Sequence, residues 1–109
     1  MSRKFQIKRN DRDPSIAYEL TPKTVDLTGA TVVFNMKDSS GSVKVNRGVG
    51  SIVTATGTPT VKYDWAPGDT DTAGDFSGEF EVTYASGLPG TFPNGEDEFI
   101  PIVIGEDIA

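Results

Sequence analysis

The stretch Asp75-Phe76-Ser77-Gly78-Glu79-Phe80-Glu81-Val82-Thr83-Tyr84 decides the fold. Phe76, Gly78, Phe80, Val82 and Tyr84 fall on one side of an extended chain; Asp75, Ser77, Glu79, Glu81 and Thr83 fall on the other. A strict period of two is the signature of a β-strand with one face in a core and the other in water. A helix would scatter the same apolar residues around its circumference.

Working outward, the same period recurs. Upstream, Val61, Tyr63 and Trp65 alternate with Lys62 and Asp64, and Val32, Phe34 and Met36 alternate with Val33, Asn35 and Lys37, with Val33 breaking strict alternation. Ile16, Tyr18 and Leu20 form an earlier strand that ends before Pro22, and Phe5 and Ile7 form the first. Val43 and Val45 follow a hairpin loop at Asp38-Ser39-Ser40-Gly41, Gly48 and Gly50 mark a bend or bulge, and Ile52 begins a further strand. Downstream, 86–90 reads as a loop, Thr91-Phe92-Pro93 as a short extended piece, and Phe99 to Ile104 as the last strand, with Pro101 implying an edge or a bulge. About seven to nine short strands with frequent turn signals make an all-β, Ig-like antiparallel β-sandwich. The 109 residues suit a single domain. Residues 1–9 are expected to be an N-terminal strand or arm, and 105–109 a flexible tail.

Composition agrees. There are 12 Gly and 7 Pro but only three Leu, a turn-rich balance unlike that of a helical bundle. With no Cys, disulfides and thiolate metal sites are excluded, which favours assembly in a reducing cytoplasm. With no His, a Ser-His triad and the commonest zinc ligand are excluded. No apolar run is long enough to span a membrane as a helix, and no signal-peptide core follows Met1. The expectation is a cytoplasmically synthesised protein without a membrane partner.

Charge is divided unequally along the chain. All ten bases lie at or before Lys62, with five acids among them; from Tyr63 onward there are eleven acids and no base, which together give the net −6. Nucleic acid is not an expected partner of such a chain. Two arrangements are open. Strands from the two halves interleave and the asymmetry averages out, or the molecule has a basic and an acidic end that join copies head to tail.

Several residues invite a functional reading. Asp69, Asp71 and Asp75 share a loop, with Asp64 near in sequence, and carry the oxygen chemistry of a Ca²⁺ site. They miss the spacing of a calcium-binding loop, and the preferred reading is solvated turn residues, with no metal and no cofactor. Trp65, Tyr63 and Tyr84 suggest a sugar platform, but a Val-Tyr-Trp stripe on one strand face reads better as core. Glu79 and Glu81 share one strand face, whereas acid–base hydrolysis needs carboxyls across a cleft, so they read as a solvated surface. No catalytic residue and no enzymatic activity is expected. The run Asp71-Thr72-Ala73-Gly74-Asp75-Phe76 resembles the corner before strand F of Ig-type domains, with Phe76 in place of the usual hydroxyl-bearing Tyr.

Taken in order, Asp26-Leu27-Thr28-Gly29-Ala30-Thr31-Val32-Val33-Phe34-Asn35-Met36-Lys37, Val61-Lys62-Tyr63-Asp64-Trp65, the 68–74 loop, the Phe76–Tyr84 strand, Gly87 and Thr91-Phe92-Pro93 resemble the N-terminal domain of tailed-phage baseplate upper proteins. The resemblance implies a non-catalytic virion structural module, made in the bacterial host, whose partners are other virion proteins and copies of itself. It leaves the position open among baseplate, tail, connector and head. The basic N-terminal strand with Arg3, Lys4, Lys8 and Arg9 is the expected contact for a neighbour, with Glu96, Asp97, Glu98 and Glu106 as acidic counterparts. The alternative is that this strand pairs only within its own sheet. A carbohydrate-binding or host-surface adhesion module is the second functional reading, and a glycan the secondary ligand expectation.

Overall fold

The computed structural model describes residues 4–22, 24–93 and 98–106. Nine strands and no helix occur among them: β1 (Phe5–Lys8), β2 (Ile16–Glu19), β3 (Thr31–Asp38), β4 (Val43–Val49), β5 (Ser51–Thr54), β6 (Thr60–Tyr63), β7 (Gly74–Thr83), β8 (Pro89–Phe92) and β9 (Ile100–Gly105). The sequence expectation of an all-β sandwich is met.

The larger sheet has the order β1-β9-β7-β3-β4, with β8 pairing β7 beyond the end of β9. The smaller sheet is β2-β6-β5. Every ladder is antiparallel except that between β1 and β9, which is parallel, with Phe5 opposite Ile102 and Lys8 opposite Gly105. The alternating stretch read first is β7, and it is central because both its edges are used. It pairs β3 from Phe76 to Thr83 on one side, and β9 and then β8 on the other.

The core forms where the two alternating faces meet. Phe34 of β3 is fully buried and stacks on Tyr63 of β6 at 5.0 Å, while Trp65 meets its edge at 5.8 Å and Phe80 lies at 4.9 Å. One aromatic from the larger sheet is thus clamped by aromatics of both, the geometry in which ring pairs add to simple area burial. Trp65 is buried just past the end of β6, and its indole N–H donates to Pro14 O at 3.1 Å. The Val61-Tyr63-Trp65 stripe is core, and no sugar platform forms from it.

Two expectations change in detail. Residues 86–90 are not all loop. Gly87 N–H bonds Tyr84 O, Tyr84 N–H bonds Leu88 O, and the chain turns back at once into β8, so Pro89 already lies opposite Thr83. Pro101 is not on an outer strand, because β9 lies between β1 and β7. The β1 ladder begins one residue later, at Ile102, so at Pro101 only Ser77 of β7 stands opposite. That is where a strand tolerates a residue lacking an N–H.

Gly50 alone separates β4 from β5, and there the chain passes from one sheet to the other. Its N–H donates to Val32 O at 2.9 Å, and an added Cβ would meet Lys62 O at 2.8 Å. Only glycine lets the backbone run this close between β3 of one sheet and β6 of the other.

Candidate interaction surfaces

Apart from β8, which pairs only β7, each sheet ends in two outer strands, and the chain joins them in pairs. β1 and β2 are the outer strands on one side of the sandwich, with β4 and β5 on the other. The two sides differ in regularity. β1 pairs β9, and β2 pairs β6, in unbroken register. β4 carries two register shifts against β3, and β5 carries one against β6. Bulges twist an edge away from flat pairing and are one of the ways proteins blunt exposed strands. The β4–β5 side also holds three exposed valines, Val43, Val49 and Val53.

The first β4 bulge sets Asn46 and Arg47 against the single residue Asn35, because Phe34 faces Gly48 while Met36 faces Val45. Arg47 has φ +54°, a left-handed conformation unusual for any residue but glycine, asparagine or aspartate. Asn35 holds it there: its Oδ1 accepts the Arg47 N–H at 2.8 Å. The Arg47 guanidinium reaches Glu81, and Asn35 Nδ2 donates to Glu79 Oε2 at 3.4 Å. Glu79 and Glu81, read in sequence as a solvated surface, are thus joined to Asn35 and Arg47 in a polar network.

Beside that network a groove of about 730 Å³ crosses the outer face of the larger sheet. Its lining includes Asn35, Lys37, Asn46, Ser77, Glu79 and Phe99. Sequence reading missed it, since Phe99 registered only as the start of a strand. The one available signal was the turn-forming Asn46-Arg47-Gly48 inside an otherwise alternating strand.

The predicted partner-contact residues divide as follows. Lys4 and Lys8 are exposed. Arg9 is half-buried, with Nε 3.5 Å from Glu106 Oε1, a Coulombic contact without hydrogen-bond geometry. Lys8 Nζ reaches the Glu106 carbonyl at 3.5 Å. The parallel β1–β9 ladder imposes this meeting, because Lys8 opposite Gly105 brings the next residues of both strands together. Glu106 is thus engaged by its own chain. Glu98 lies at the other end of β9, where its charge, second to burial, raises the Tyr18 hydroxyl pKa. Arg3, Glu96 and Asp97 lie outside the described residues.

Among the described residues, four ion pairs link the two differently charged parts of the chain. Each of the ion pairs Arg9–Glu106, Lys44–Asp71, Arg47–Glu81 and Lys62–Asp64 joins a base from the first part of the chain to an acid from the second. Of the two arrangements open in the sequence, these contacts follow the interleaved one.

The three loop aspartates are drawn apart. Asp69 Oδ2 accepts the Tyr63 hydroxyl and the Ala66 N–H. Asp71 binds Lys44 and Thr72, which hold its carboxyl below the usual range. Asp75 sits on β7, exposed, opposite Val103. Among the described residues no three acidic side chains gather as a metal site. The 66–70 turn instead closes on a tyrosine hydroxyl. Phe76 is buried, as a corner aromatic should be, but the hydroxyl comes from Tyr63 on β6.

Comparison with protein-family models, with curated proteins and with solved structures finds no match to this chain.

Proposed function

We propose that this chain is a non-catalytic structural protein of a tailed-phage virion, a baseplate, tail or other capsid-associated component that holds neighbouring subunits together. The virion assignment rests on the sequence resemblance. The observation that carries an assembly role is the β1 edge. It is regular over all four of its pairs with β9, is flanked by Lys4 and Lys8, and has no strand on its outer side among the described residues. A regular outer strand leaves backbone groups that a neighbour's strand can pair with, and its lysines discourage pairing with a second basic strand, so an acidic neighbour is the one it would take.

Native mass by light scattering, at low and at high salt, tests the reading. A trimer, hexamer or larger species that dissociates as salt rises supports it, because screening weakens contacts between exposed charges. A monomer at every concentration and salt would overturn self-assembly through this edge.

A further inference from the structure

We propose that the groove on the outer face of the larger sheet is a binding site for a neutral oligosaccharide, with Phe99 as its stacking surface and Asn35, Asn46, Ser77 and Glu79 as its hydrogen-bonding wall. It is a different site from the β1 edge and does not depend on the assembly reading.

Three observations carry the assignment. The first is shape and size: a groove of about 730 Å³ on the outer face of the sheet, within the range of small-molecule sites. The second is preorganisation. Asn35 Oδ1 accepts the Arg47 N–H at 2.8 Å, which orients the amide before any ligand arrives, and its Nδ2 approaches Glu79 Oε2 at 3.4 Å. The β4 bulge that presents Asn46 beside them is kept in place with Arg47 in a left-handed conformation, a cost borne at the rim of this groove. The third is the mix of chemistry in the lining. Phe99, 46% exposed, and Val43, 64% exposed, give apolar patches, and amide, hydroxyl and carboxylate groups stand with them.

A pyranose matches that mix, with an apolar C–H face for the ring and a rim of hydroxyls that donate to a carboxylate and accept from an amide. Other occupants match less well. An extended peptide added to a sheet pairs through backbone groups at an edge, whereas β3 and β7 on this face already spend theirs on each other. A phosphorylated or otherwise anionic ligand meets Glu79 and Glu98, with Lys37 the one cation among the described residues of the lining.

The test is a titration of ¹⁵N-labelled protein by NMR with a panel of neutral trisaccharides, maltotriose, cellotriose and mannotriose among them, up to about 10 mM, since an open groove holds ligands with Kd on the order of 1 mM. At least one should give saturable shifts at Asn35, Asn46, Ser77 and Phe99. Phe99→Ala and Asn46→Ala should each weaken that binding about tenfold or more. Both positions are exposed, so circular dichroism should show unchanged folding, and Leu88→Ala, exposed on the β7–β8 turn, should bind as the unaltered protein does. Absence of saturable shifts across the panel would overturn the proposal. So would shifts located elsewhere, shifts that survive both groove substitutions, or a response only to an extended tetrapeptide run as a control.

Discussion

The Tyr63 hydroxyl donates to Asp69 Oδ2 at 2.5 Å, and the same oxygen accepts the Ala66 N–H at 2.8 Å. One carboxylate thereby ties the end of β6 to the 66–70 turn, and the turn to the aromatic that stacks on Phe34. Tyr63→Phe keeps the ring and removes the donor. It should destabilise the protein by about 1–2 kcal/mol, read as a lower urea midpoint with an unchanged slope.

The same contact sets an alkaline response. Burial first, and then the bond to Asp69, raise the Tyr63 pKa well above the ordinary tyrosine value. The folded state therefore holds this proton more tightly than the unfolded state does. Its contribution is complete below the ordinary tyrosine pKa of about 10 and is lost as pH rises through the folded value. Spectrophotometric titration near 295 nm should show a tyrosine step displaced to high pH, and Tyr63→Phe should remove that step.

Trp65 is 2% exposed and makes its polar contact inside the fold, to Pro14 O. Its fluorescence should be blue-shifted and weakly quenched by acrylamide. Trp65→Ala should cost about 3–5 kcal/mol. Strong quenching, or near-native stability of the alanine variant, would contradict its place in the core.

Gly78 is the gap in the apolar face of β7 into which neighbours fit. A Cβ there would lie 2.8 Å from Ile102 Cδ1 and 3.0 Å from the Phe34 ring. Phe34 is fully buried and cannot retreat. Gly78→Ala should destabilise by about 1–3 kcal/mol, and adding Ile102→Val, which removes the nearer atom, should restore part of the loss.

Arg47 bears a conformation its residue type disfavours. Arg47→Gly relieves it and gives up only an exposed ion pair, so stability should change by less than about 1 kcal/mol in either direction. Arg47→Val should be clearly worse, because a β-branched residue is an outlier at positive φ. Chemical denaturation of the two variants side by side measures the difference.

By itself, the sequence determined the fold class and most of the core. Alternation at Phe76–Val82, Val32–Met36 and Val61–Tyr63 reports which face of each strand is dry, and that is a local property, legible residue by residue. Trp65 was legible for the same reason. Which strands lie side by side was not legible, because pairing joins residues far apart in the chain, as Phe5 with Ile102. That pairing decided that Glu106 meets Arg9, that Pro101 has a partner on one side only, and that bases early in the chain neutralise acids late in it. It also decided what the loop aspartates do, since Asp69 answers a tyrosine hydroxyl and Asp71 a lysine on β4. The groove belongs wholly to tertiary structure. Asn35, Asn46, Ser77 and Phe99 come from four separate segments, and only the sheet order and a bulge at Asn46 and Arg47 bring them to one face.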